Sequence, residues 1–117
     1  MEIVRTNTED KVTLYKLTQD AGIRKMTDIK GDIKTVKAYA QYTDEDKDGN
    51  VREIVSIMGD DDVVHATNSP TFIRDFLKML DLFGDELKSI NVVAGTSKAN
   101  REFITASLGE VKASKKK

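Results

Sequence analysis

IKTVKAYAQYTDEDKDGNVREIVSIM, residues 33–58, decides the fold. Between Ile33 and Thr43, Val36, Ala38, Ala40 and Tyr42 share one parity, and Thr35, Lys37, Tyr39 and Gln41 share the other. Successive side chains of a strand face opposite sides, so this alternation describes a strand with an apolar face and a mixed face. The polar run Asp44–Asn50 contains Asp48-Gly49, a strong turn signal. Val51 to Met58 then reads as the returning strand, and residues 33–58 as one long hairpin.

Upstream, residues 1–11 are polar and aperiodic, which predicts a flexible N-terminal arm. Val12 to Leu17 alternates and reads as a first strand. Gln19 to Asp32 reads as a long connection with one helical turn, carrying Arg24, Lys25 and Lys30. Downstream, Asp60–Asp62 makes a tight turn, and Val63 to Thr67 a short strand. Asn68-Ser69-Pro70 supplies a helix cap followed by proline at the first helical position. Phe72, Ile73, Phe76, Leu77, Leu80 and Phe83 recur at helical spacing until Gly84, so the spacing predicts a helix over 71–83. Ile90 to Ala94 and Glu102 to Leu108 are two more strands, joined by the polar segment 95–101. Residues 112–117 form a lysine-rich tail too polar to pack and are read as disordered, which leaves residues 12–111 as the domain.

The expected architecture is mainly β with one helix: an OB-like five-stranded barrel with the helix between strands 3 and 4. An open sheet covered by a single helix has the same order of elements.

Composition narrows the function. At 117 residues, with 38% hydrophobic and 33% charged, the chain suits one globular domain. It has no cysteine and one histidine, His65, which disfavours thiolate metal sites, cysteine nucleophiles and histidine clusters. No apolar run reaches the roughly 18 residues of a membrane span, and Met1-Glu2-Ile3-Val4-Arg5 does not resemble a signal peptide, so a cytoplasmic protein without a membrane partner is expected. The net charge is −1. Seven acids are concentrated in Asp44–Asp48 and Asp60–Asp62; outside these runs, residues 12–111 hold 12 bases and 10 acids, which leaves room for a locally positive face.

Catalytic signatures are missing. Asp44–Gly49 matches the first half of a calcium loop, but position 12 would be Val55 where a bidentate glutamate is needed, and strands flank it. Gly95-Thr96-Ser97-Lys98 leads into no helix, so it lacks the N-terminal amides of a phosphate loop. There is no nucleophile elbow. A protein that is not an enzyme and uses no cofactor is expected.

A binding surface remains. With Val36/Ala38/Ala40, Ile90/Val92/Ala94 and Ile104/Ala106/Leu108 facing the core, the opposite faces carry Lys37, Tyr39, Arg101 and Phe103. Aromatic rings beside cations are what unpaired bases and their phosphates require. The expected DNA-binding set is Arg24, Lys25, Lys30, Lys37, Tyr39, Arg52, Lys98, Arg101 and Phe103, with Tyr39 and Phe103 as stacking platforms.

The segments 36–42, 66–76 and 95–98 together with Arg101-Glu102-Phe103-Ile104-Thr105 resemble small phage-type single-stranded DNA-binding proteins of Gram-positive hosts. This resemblance spans roughly residues 12–108. It implies an OB-like fold and a part in phage or mobile-element DNA replication or recombination, inside the host cytoplasm. Single-stranded DNA is the implied partner; a homo-oligomer and replication or recombination proteins are further candidates. The chain departs from bacterial single-strand binders in ending on Lys115-Lys116-Lys117 rather than an acidic tip. The competing reading is a phage-encoded inhibitor or adaptor of a host protein, which the acidic clusters suit.

Overall fold

The computed structural model describes residues 1–112. The tail expected to be disordered therefore lies almost wholly outside the described residues. In chain order the strands are β1 (Glu2–Thr6), β2 (Arg24–Lys25), β3 (Ile33–Thr35), β4 (Ala38–Glu45), β5 (Val51–Met58), β6 (Val64–Thr67), β7 (Ser89–Thr96) and β8 (Glu102–Leu108). The helices are α1 (Lys11–Thr18) and α2 (Pro70–Phe83), and Met26–Ile29 forms a 3-10 turn. A five-stranded sheet runs β1-β4-β5-β6-β2 and a three-stranded one β3-β7-β8. The fold is mainly β, as expected, but it has two helices and its sheets are not closed into a barrel.

The long hairpin forms in register from Ala38↔Met58 to Glu45↔Val51. Gly49 takes φ +83° at its tip, where a Cβ would be strained. The Asp46 carboxylate accepts from the Asp48 and Asn50 amides at 2.9 Å, so this acid closes the turn. Ile33–Thr35 leaves the hairpin: it pairs with β7 as β3 and ties the two sheets together.

Helix α2 starts and stops as its sequence dictates. Ser69 caps the Phe72 amide, Pro70 is the first helical residue, and Gly84 ends the helix at φ +55°. Its Phe72, Ile73, Phe76 and Leu80 pack on Tyr39, Val55 and Ile57 of the large sheet and on Ile90, Val92, Ile104 and Ala106 of the small one. One helix stripe thus serves both sheets.

Three expectations change. Val12–Leu17 is helical, because the Asp10 carboxylate accepts from the Thr13 amide at 2.9 Å and caps α1. Six residues, Val-Thr-Leu-Tyr-Lys-Leu, are too few to separate a period of 2 from one of 3.6. The expected arm, residues 1–11, contains strand β1, which pairs with β4 and is broken by a bulge between Ile3 and Arg5. Beyond it the Asn7 side chain accepts from the Tyr39 amide at 3.0 Å and donates to the Lys37 carbonyl at 3.3 Å, continuing the satisfaction of β4's main chain.

The third change concerns the faces of β4. Ala38, Ala40 and Tyr42 do pack inward, with Leu17, Met58 and Val64 under α1. The opposite face is also covered. Tyr39 is only 7% exposed and meets Phe76 edge-on, with ring centroids 5.6 Å apart. Tyr39 is a core residue and cannot serve as a stacking platform.

Candidate nucleic-acid interface

The small sheet keeps one face open. Ile90, Val92, Ile104 and Ala106 point at α2, which bears out the expected facing of this hairpin, while Ala94 and Leu108, at the strand ends, stay exposed. Ile33, Asn91, Val93, Thr105 and Phe103 lie on the outer side, in the pairs Ile33↔Asn91, Val93↔Thr105 and Gly95↔Phe103. Ile33 is 67% exposed and Val93 39%. Phe103 lies across β7 at Gly95: a Cβ there would sit 2.5 Å from the ring. The glycine is what lets the ring lie against the strand, a pairing that restores the packing a glycine strand position lacks.

Beside this ring the Thr27 turn separates two hollows. The smaller, about 140 Å³, is bounded by Thr27, Lys30, Gly95, Thr96, Glu102 and Phe103. The shallower, about 290 Å³, is bounded by Lys25, Thr27, Ile54, Thr67 and Asn68. Thr27 borders both hollows; the charged residues lining them are Lys25 in the larger and, in the smaller, Lys30 and Glu102, paired at 3.6 Å. Lys98 and Arg101 stand exposed on the loop that extends past the Thr96↔Glu102 pair. That loop is held by Ser97–Arg101 main-chain bonding at 2.9 Å and by Asn100 at φ +59°. Arg52, exposed on β5, lies two residues from Ile54 and opposite Asp44.

The structure therefore brings Lys30 and Phe103 to one hollow and places Lys25 and Ile54 on a second that shares Thr27; Lys98 and Arg101 stand on the adjoining loop, and Arg52 lies on the same strand as Ile54. It separates the other three. Arg24 borders a different hollow, with Lys16, Asp20 and Asp62. Lys37 is paired with Asp62 at 2.6 Å. Tyr39 is in the core. The lining residues missed in the sequence include Thr27, Ile54, Thr67, Asn68, Gly95, Thr96 and Glu102; Asn68 is legible only as part of a helix start, and Gly95 and Thr96 only as part of a strand connection.

A second polar cluster is buried between the sheets. Lys34, 4% exposed, donates from Nζ to the Val63 carbonyl at 2.7 Å and to His65 Nδ1 at 2.8 Å. An ammonium has no acceptor, so Nδ1 must accept and the imidazole proton sits on Nε2. Burial holds the Lys34 ammonium below the ordinary lysine range, against the pull of Asp61. Burial, then the positive charges of Lys34 and Arg24, hold His65 below the ordinary histidine range, with Asp61 and Asp28 opposing. The unfolded chain therefore takes up the His65 proton first on acidification. Stability from this group is complete above about pH 6.5 and declines as the pH falls from there to the lowered native value. Denaturant unfolding between pH 7.5 and 5 should show that decline, and His65→Asn should flatten it. An unchanged slope in the variant would clear His65 of the effect.

Among the described residues no group of three or more histidine, aspartate or glutamate side chains is placed to hold a metal ion. No helix among them is long and apolar enough to cross a membrane. No protein-family model, curated protein or solved structure matches the chain.

Proposed function

We propose that this protein binds single-stranded DNA without catalysing a reaction. The observation that carries the reading is Phe103 beside Lys30 on one hollow, with Lys25 on a second hollow that shares Thr27 and with Lys98 and Arg101 exposed on the adjoining β7–β8 loop. An aromatic face with cations at its margin suits a strand whose bases are free to stack and whose phosphates need neutralising. The acidic runs line neither hollow: Asp60–Asp62 lie beside Lys34 and Lys37, and Asp44–Asp48 at the hairpin tip beyond the end of β6, with Asp44 opposite Arg52. The net charge of −1 is therefore compatible with a local excess of cations around these hollows and the adjoining loop. DNA rather than RNA, a role in phage or mobile-element replication or recombination, and a cytoplasmic setting follow from the resemblance of the sequence alone.

The exposed Ile33 and Val93 favour one other reading, a surface for a host protein. Titration of a labelled single-stranded oligonucleotide at two salt concentrations separates the two. Binding that weakens as salt rises, with duplex of equal length competing poorly, is expected. No binding at low salt would refute the DNA reading and leave the protein-interaction one.

A further inference from the structure

We infer that the hollow of about 140 Å³ at the edge of β7 is a nucleobase pocket, which receives one heterocycle of a bound strand against the main chain of Ala94. This rests on the single-strand reading above and specifies how a base is held.

The pocket exists because β3 stops early. Its ladder with β7 begins at Thr35↔Ser89 and reaches Ile33↔Asn91. It is extended once more by Val92, which accepts from the Gly31 amide at 2.7 Å and donates to the Asp32 carbonyl at 2.9 Å. In an antiparallel ladder a residue directs its N–H and C=O to the same side, and the next to do so on that side is two residues on. Ala94 therefore presents both groups where Val92 does, and neither finds a main-chain partner there among the described residues. Edge groups of this kind invite a ligand with a donor and an acceptor side by side.

The surroundings select the ligand further. The Phe103 ring forms one wall, Thr27 and Thr96 add hydroxyls, and the Lys30–Glu102 pair at 3.6 Å borders the opening. The volume is below the roughly 300–1,000 Å³ usual for a whole small-molecule site, so it takes one planar ring and leaves the rest of the ligand outside. A nucleobase meets each requirement. It is flat, it carries adjacent donors and acceptors on its edge, and its phosphate emerges beside a lysine. A polymer supplies the remaining interactions outside the hollow.

Amide spectra of the full chain test this with two probes, deoxyadenosine 5′-monophosphate and deoxyribose 5-phosphate. The nucleotide should shift the Ala94, Gly95 and Thr96 signals saturably, and the sugar phosphate should leave them in place. Thr27→Tyr, which fills the hollow from its exposed side, should abolish these shifts and weaken oligonucleotide binding by about fivefold or more. Thr27→Ser serves as the control that keeps the space and the hydroxyl. Equal shifts from both probes would overturn the inference, because only the phosphate would then be recognised. Parental oligonucleotide affinity in folded Thr27→Tyr would overturn it too, while leaving the single-strand reading standing. Absence of oligonucleotide binding in the parent protein would remove both.

Discussion

Phe76→Ala should lower the unfolding free energy by about 3–5 kcal/mol, the range for truncating a wholly buried phenylalanine. The side chain is wholly buried, stacks near Phe72 at 6.2 Å, and meets Tyr39 edge-on at 5.6 Å. It belongs to the core cluster in which α2 meets residues of both sheets, which are hydrogen-bonded separately. Local collapse is difficult there. Urea unfolding followed by circular dichroism measures the change. Tyr39→Phe, which keeps the ring against Phe76, should retain most of the stability, whereas Tyr39→Ala should not. A Phe76→Ala protein as stable as the parent would mean that this helix face does not hold the sheets together.

Phe103→Ala should weaken single-stranded DNA binding by about 1–3 kcal/mol, roughly 5- to 150-fold, if a base stacks on the ring. Phe103 is only partly buried and lies outside the packed core, so the fold should survive. Alanine at Lys25, Lys30, Lys98 or Arg101 should act differently. Each should lower affinity regardless of sequence and reduce the salt slope by about 0.7 for every phosphate left without its cation. Lys37→Ala and Arg24→Ala are the internal controls, since Lys37 pairs with Asp62 and Arg24 borders another hollow. Parental affinity in a folded Phe103→Ala protein would sink the stacking platform. Equal losses of affinity at Lys37 and Lys98 would show that total charge, and not its placement, governs binding.

These two rings show how far a sequence pattern reaches. Tyr39 and Phe103 both fall on the mixed side of an alternating strand, and alternation alone treats them alike. For Phe103 the inference that it lies away from the core holds, because nothing among the described residues packs over the outer face of the small sheet as α2 packs over its inner face. For Tyr39 it fails, because the large sheet is a middle layer with α1 on one side and α2 on the other. Alternation states which side chains share a face. It carries no information on whether a second layer arrives to cover that face.

Strand β1 and helix α1 were hidden for related reasons. Glu2–Thr6 is an exposed edge strand, so it needs no apolar stripe, and its main-chain bonding to β4 leaves no mark on residue type. In α1 only Leu17 is buried, too little to impose a helical period, although Asp10 and Thr13 stand at cap spacing in the sequence.

What the sequence by itself determined is the set of elements governed by near neighbours: the β4–β5 hairpin with its Asp48-Gly49 turn, the capped α2 stripe and the β7–β8 hairpin with its buried side. Their causes are backbone period, capping and turn conformation, which act over a few residues. The tertiary structure alone decided that the sheets stay open, that Tyr39 is core, and that Lys34 is spent inside against Val63 and His65 while Lys37 is spent on Asp62. It also brought Lys30 to Phe103, more than 70 positions away in the chain. Burial and charge pairing are settled by whatever the fold places within a few ångströms, and no local period encodes that partner.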